Sequence, residues 1–108
     1  PSRISPDVYA NYRKPLQAEN WDLALWELTK ASSSSTVADR ISEITLPALV
    51  VSGADDLIVP LELSLRLAEE LSNAQLAVFQ DCGHLPQEEC PGLFINAVEQ
   101  FLLKEIIN

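Results

Sequence analysis

The chain has 108 residues, of which 47% are apolar, and its 16 acidic and 7 basic side chains give a net charge of −9. This length fits one domain with a modest core, and the apolar content excludes a disordered chain. The negative charge argues against nucleic acid and anionic membranes as partners, and the apolar runs are too short to span a bilayer.

The N-terminal third predicts two helices. Ser5 is followed by a proline and an acid, the order of a helix start, and Pro15 ends this helix. A second helix follows the cap residue Asn20, and its apolar face is formed by Trp21, Ala24, Leu25 and Leu28.

A serine-rich stretch over residues 32–36 is the clearest candidate linker. It predicts a solvated loop rather than a nucleophile, because a nucleophilic serine needs a rigid turn beside hydrogen-bond donors. Thr36 and Asp39 then resemble a capping box, which predicts a short helix ending near Glu43.

The rest of the chain predicts a strand, a helix, a second strand and a last helix. The expected ranges are 48–52, 61–71, 75–80 and 91–107. Both strands are apolar on both faces, which is typical of parallel strands joined by a helix. Two parallel strands do not form a stable sheet alone, so we expect a neighbouring strand from elsewhere.

Polar residues follow both predicted strands. Asp55 and Asp56 come after the first strand, and His84, the only histidine, comes after the second. The carboxyl ends of parallel strands meet at one edge of the sheet, where ligands bind in open α/β folds. We therefore expect the imidazole and one of these aspartates to lie side by side.

These residues carry a resemblance to the C-terminal portion of α/β-hydrolases, which covers about Leu46 to Leu102. The strand–Gly-x-x-Asp-x-x-x-Pro stretch that holds the acid in that family is matched by Gly53, Asp56 and Pro60. The stretch that holds its histidine is matched by Gly83, His84, Glu89 and Pro91. The resemblance implies an α/β fold consisting of one parallel βαβ unit plus flanking helices.

The resemblance also implies roles for single residues. In this family the triad follows the chain order nucleophile, acid, histidine. Asp56 is the expected acid, with Asp55 as the alternative, and His84 is the expected general base. A loop histidine with a structural hydrogen bond is the other interpretation of His84.

The part of the family that attacks the substrate is missing from the sequence. None of the three glycines brackets a serine in a Gly-x-Ser-x-Gly elbow. By resemblance, residues 1–31 are a helical remnant of a cap, and residues 37–108 are the C-terminal part of the hydrolase core. We therefore expect no activity from the chain alone, and a small-molecule substrate and no cofactor for the intact enzyme. Because the chain begins with Pro1 and contains no methionine, we expect a fragment or a processed product.

The remaining acids and the cysteines have plainer interpretations. Asp81 is expected to cap the turn or face away from His84, and Glu88 and Glu89 are expected to place negative charge at the start of the last helix. Cys82 and Cys90 flank His84, but this set lacks a fourth metal ligand. We expect no metal and two free thiols, as in a reducing compartment.

Three functional hypotheses follow. The favoured one is the C-terminal portion of a hydrolase of ester or related bonds, completed by a missing N-terminal part. The alternative is a non-catalytic interaction module that associates, with itself or another chain, through an open strand edge. The third is one piece of a cleaved enzyme whose other piece is a separate chain.

Overall fold

A computed structural model describes residues 5–32 and 37–107 of the chain. The chain divides into two units, Pro1–Ala38 and Asp39–Asn108, each of which is compact over its described residues. Among the described residues, no helix is both long enough and apolar enough to cross a membrane.

The first unit is helical. Helix α1 spans Pro6–Arg13, and the hydroxyl of its cap Ser5 accepts a hydrogen bond from the N–H of Val8 at 3.3 Å. A 3₁₀ turn over Lys14–Gln17 follows, and α2 spans Trp21–Ser32. Both predicted helices are confirmed. The predicted linker begins inside α2 at Ser32, and residues 33–36 lie outside the described residues.

The second unit contains the predicted alternation of strands and helices. The short helix expected before the first strand is present as a 3₁₀ helix that ends at Glu43, and one extra short helix precedes the last one. The elements, in order, are the 3₁₀ turn Ala38–Glu43, β1 Ala48–Gly53, α3 Leu61–Glu70, β2 Ala74–Phe79, α4 Pro86–Glu89 and α5 Pro91–Ile107.

The two strands pair in parallel, as the sequence predicts. The register runs from Ala48 opposite Ala74 to Gly53 opposite Phe79, so β1 and β2 end at the same edge of the sheet. The ladder continues one step further, because the N–H of Ala54 donates to the carbonyl of Phe79 at 2.8 Å. The loops after both strands therefore begin side by side.

The core of the second unit is small and lies against this edge. Among the described residues, the buried side chains are Val50 and Ser52 on β1, Phe79 at the end of β2, Cys82 in the following loop and Pro86 at the start of α4. Helix α3 packs on both strands, and α5 also contacts them. The buried positions anchor the two loops that carry the candidate site.

Candidate active site

Asp56 lies in a tight turn directly after β1. The N–H of Asp56 donates back to the carbonyl of Gly53 at 3.3 Å. Its Oδ1 accepts hydrogen bonds from the N–H groups of Ile58 at 2.8 Å and Val59 at 2.9 Å. Such bonds from a short acidic side chain to the backbone just ahead are typical of turns, and they fix the orientation of the carboxylate.

The loop that carries His84 is tied to the Asp56 turn through the backbone. Asp81 opens this loop with a left-handed φ of 54°, and the side chain of Cys82 beyond it is fully buried. The carbonyl of Cys82 accepts the N–H of Asp55 at 2.9 Å. A Cβ atom at Gly53 would overlap the carbonyl oxygens of Cys82 and Gly83, so only glycine allows this approach.

His84 and Asp56 are in direct contact. The imidazole Nδ1 lies 2.9 Å from Oδ2 of Asp56, which confirms the predicted meeting of the two side chains. Asp55, the alternative, has an exposed side chain, and its N–H bonds to the second loop instead. The structure therefore makes Asp56 the carboxylate that contacts the histidine.

The environment of Asp56 favours its charged form. Partial burial alone would raise the pKa of Asp56, but the hydrogen bonds from the Val59 N–H, His84 and the Ile58 N–H outweigh that effect. The pKa of Asp56 therefore lies below its ordinary value. An ionised carboxylate only accepts hydrogen bonds, so Nδ1 of His84 must donate, and the neutral ring keeps a free lone pair on Nε2.

The two side chains differ in their access to solvent. The Asp56 side chain is 7% exposed, whereas that of His84 is 41% exposed. A buried acid that orients a reachable imidazole is the arrangement in which histidine acts as a general base. The chemistry that this pair can perform is the removal of a proton by Nε2 from a group brought close to it.

Glu89 has a contact that the sequence analysis missed. Its Oε2 accepts the N–H of Gly83 at 3.1 Å, and its Oε1 accepts the N–H of Leu85 at 3.0 Å. The carboxylate thus binds the backbone on both sides of His84, whereas the sequence led us to expect it at the start of the last helix, whose first turn contains no acid. The Glu-x-Pro spacing after the histidine was the available signal, but it does not reveal that α4 turns Glu89 back over the loop.

The prediction of two free thiols was wrong. Cys82 and Cys90 form a disulfide, with their Cα atoms 6.2 Å apart. The loop after β2 and the short helix α4 return the chain to this distance, which lies within the range that a disulfide can bridge. Sequence spacing alone does not show such a return. Among residues 5–32 and 37–107, no group of three or more His, Cys, Asp or Glu side chains is arranged to hold a metal ion.

Comparison with known proteins gives the class of protein to which this fold belongs. The sequence matches the alpha/beta hydrolase fold family over residues 4–91. The chain therefore belongs to the α/β-hydrolase family.

A curated relative that matches the chain is a hydrolase by name. The chain is 48% identical over 63 residues to a 2-hydroxy-6-oxononadienedioate/2-hydroxy-6-oxononatrienedioate hydrolase of Burkholderia vietnamiensis, a match that covers 58% of the chain. It spans about a fifth of the length of such curated relatives, 22% in this case.

Solved structures of hydrolases also resemble the chain. A thermophilic esterase from Thermogutta terrifontis matches with a TM-score of 0.59 and 33% identity, over 61% of this chain and 24% of the esterase. An α/β-hydrolase from a lagoon-sediment metagenome matches with a TM-score of 0.79 over 93% of this chain and 46% of that enzyme. At 17% identity the second match shows the fold alone.

Proposed function

We propose that this chain is the C-terminal portion of an α/β-hydrolase and supplies two members of its catalytic triad. Asp56 is the acid and His84 is the general base. The 2.9 Å contact between Nδ1 and the carboxylate is the observation that carries this proposal. The nucleophile belongs to the part of the enzyme that precedes this chain, in line with the 22% of a relative's length that the chain spans.

The proposed mechanism divides the work between the two residues. Nε2 of His84 takes the proton of the attacking nucleophile and later returns it to the leaving group. Asp56 holds Nδ1 in the donating tautomer and stabilises the imidazolium that forms. The reaction is hydrolysis of an ester or a related bond in a small molecule. The names of the relatives, an esterase and a 2-hydroxy-6-oxononadienedioate hydrolase, make both substrate classes candidates.

A chimera tests the proposal. Residues 39–108 replace the corresponding segment of the Burkholderia vietnamiensis hydrolase, whose remaining part we expect to supply the nucleophile. We expect the chimera to hydrolyse 2-hydroxy-6-oxononadienedioate. His84→Ala should lower kcat about 10³-fold or more, because it removes the base. Asp56→Asn should lower kcat roughly 10²–10⁴-fold, because the imidazole is no longer held in the tautomer that leaves Nε2 free to accept the proton.

Asp55→Asn is the matched control for the chimera. It removes one carboxylate from the adjacent position, where the side chain is exposed, and should leave kcat within about twofold. An equal loss of kcat in Asp55→Asn and Asp56→Asn would contradict the assignment of the acid. The 108-residue chain alone should not react with a fluorophosphonate probe for active serines, and stoichiometric labelling would refute the missing nucleophile.

A second candidate function is association through an open strand edge without catalysis. In the described part of the chain, the sheet contains β1 and β2 only, so each strand has one hydrogen-bonded neighbour. An edge of this kind is a template for pairing with another chain. Light scattering on the purified chain tests this candidate, because a discrete dimer supports it and a monomer argues against it.

A further inference from the structure

The segment around His84 is held by a second carboxylate that the triad does not use. Glu89 ends the short helix α4, five residues after the histidine. The N–H groups of Glu88 and Glu89 both bond to the carbonyl of Leu85, at 2.9 and 2.8 Å, and this turn brings the Glu89 side chain back to the loop. Each of its two oxygens then accepts one backbone N–H, from Gly83 or Leu85.

These two hydrogen bonds close a ring around the backbone of His84. Apart from planar peptide bonds, only φ and ψ of Gly83 and φ and ψ of His84 lie between the two bonded nitrogens. Fixing both nitrogens on one carboxylate therefore limits the rotations that set the direction of the Cα–Cβ bond of His84. The imidazole is aimed by its backbone as well as by Asp56.

Gly83 is required for the carboxylate to come this close. A Cβ atom at position 83 would lie 2.8 Å from Oε2 and 2.9 Å from Oε1 of Glu89. Side chains do not normally approach so closely, so any other residue at this position would push the carboxylate away from the loop. The glycine before the histidine and the glutamate after it are thus two parts of one arrangement.

We propose that Glu89 is a positioning residue that holds His84 in the orientation in which Nδ1 donates to Asp56. This role rests on the proposed function of the Asp56–His84 pair. The observations that carry it are the two bonds that bracket His84 and the close fit of the carboxylate to Gly83. When Glu89 cannot bind both N–H groups, the imidazole of His84 samples other orientations. The Nδ1–H tautomer is then favoured less strongly over the Nε2–H tautomer.

The tautomer of His84 is the quantity to measure. His84 is the only histidine, so ¹⁵N NMR of the imidazole of the 108-residue chain reports one ring, at about pH 9 where imidazoles are ordinarily neutral. We expect the wild-type ring to be mainly Nδ1–H. In Glu89→Gln, which keeps one carbonyl acceptor, the ratio of Nδ1–H to Nε2–H should fall roughly tenfold, the factor for one lost charge-assisted bond.

Two further variants separate charge from geometry. Glu89→Asp keeps the charge, but its shorter side chain does not reach both N–H groups, so the ratio should fall as in Glu89→Gln. Glu88→Gln removes the same charge from the adjacent exposed position and should leave the ratio unchanged. A ratio that falls in Glu88→Gln, or stays at the wild-type value in Glu89→Asp, would show that charge alone acts and would overturn the proposal.

Asp56→Asn distinguishes failure of this inference from failure of the proposed function. If Asp56→Asn lowers the ratio and Glu89→Gln does not, the positioning role is overturned and the acid–base pair stands. If Asp56→Asn also leaves the ratio unchanged, both proposals fail.

If Glu89→Gln does not fold, hydrogen exchange of the backbone amides in the wild-type chain decides. The amides of Gly83 and Leu85 should exchange at least about tenfold more slowly than in an unstructured peptide. Unprotected amides at these two positions would overturn the positioning role of Glu89.

Discussion

Asp56 both stabilises a backbone turn and contacts the histidine of the candidate site. Its Oδ1 holds the turn through two N–H groups, while its Oδ2 contacts the imidazole. Each of these hydrogen bonds is stronger with the ionised carboxylate than with the protonated carboxyl group. The pKa of Asp56 is therefore lowered despite its partial burial. The same bonds therefore link the charge of Asp56 to the stability of the fold.

The acid stability of the chain should depend on Asp56. Because the folded-state pKa is lowered, the unfolded chain binds the proton more readily, and the stabilisation is fully present above the ordinary value of about 3.9. It is lost as the pH falls through the lower folded-state value. In urea unfolding, the wild type should exceed Asp56→Asn in stability at pH 6, and the difference should shrink towards pH 3. A constant difference would contradict the linkage, and Asp55→Asn is the control.

Gly53 is the residue at which the two loops come closest. A Cβ there would overlap two backbone carbonyls, which cannot rotate away as a side chain can. Gly53→Ala should therefore lower the free energy of unfolding by about 1–3 kcal/mol. Gly92→Ala is the matched control, since no atom lies within 4 Å of its added Cβ, and alanine favours the helix. Chemical denaturation should show opposite signs for the two variants, and equal losses would contradict the role of the close approach.

At the scale of elements, the sequence predicted the order and type of the main helices and strands. The strands and α3 could be predicted because each has a local pattern of apolar residues that is visible in the sequence. The contact between Asp56 and His84 was also predictable, because parallel strands end at one edge. Their catalytic roles stay a prediction.

The short helix α4 explains most of what the sequence did not reveal. Its four residues, Pro86–Glu89, are too few to show a periodic pattern. Yet this turn brings Glu89 back to the histidine loop and Cys90 within reach of Cys82. Contacts of this kind depend on the path of a loop in three dimensions. Neither the hydrogen bonds of Glu89 to the histidine loop nor the disulfide could therefore be deduced from sequence spacing.

The disulfide should stabilise the loop that α4 closes. Residues 82 and 90 are separated by eight positions, and the loop-closure entropy of the unfolded chain gives about 2–3 kcal/mol for a ring of this size. Cys90→Ser should lose this amount, and the wild type in dithiothreitol should match the variant. Alkylation under denaturing, non-reducing conditions is the direct check. Rapid labelling of both cysteines in the wild type would exclude the bond.

At the scale of the whole chain, the described residues bury few side chains for a protein of this length. Large apolar side chains stay exposed on several elements, and Leu57, directly after Asp56, is 96% exposed. A chain of this size ordinarily buries well over half of its extended surface. Together with a sheet of two strands, this exposure supports the proposal that other polypeptide covers the second unit in the intact enzyme.

The open edge of β1 can be located from its hydrogen bonds to β2. The N–H groups of Ala48 and Ala54 donate to the carbonyls of Asn73, just before β2, and of Phe79, its last residue. The backbone N–H groups of successive residues point to opposite sides of a strand within the plane of the sheet. The N–H groups of the even-numbered residues of β1 therefore face β2, and those of Leu49 and Val51 face the open edge. This open edge of β1 is available to the neighbouring strand that we expect from elsewhere.

Val51→Pro tests whether this edge mediates association. Proline removes the N–H that faces the open edge and leaves the bonds to β2 in place, a substitution that edge strands tolerate. We expect the wild-type chain to self-associate with concentration in light scattering, and Val51→Pro to stay monomeric with an unchanged circular dichroism spectrum. Val50→Pro, whose N–H faces β2, should instead disrupt the sheet. If Val51→Pro associates as strongly as the wild type, the contact lies elsewhere, and the exposed apolar helix surfaces become the site of self-association.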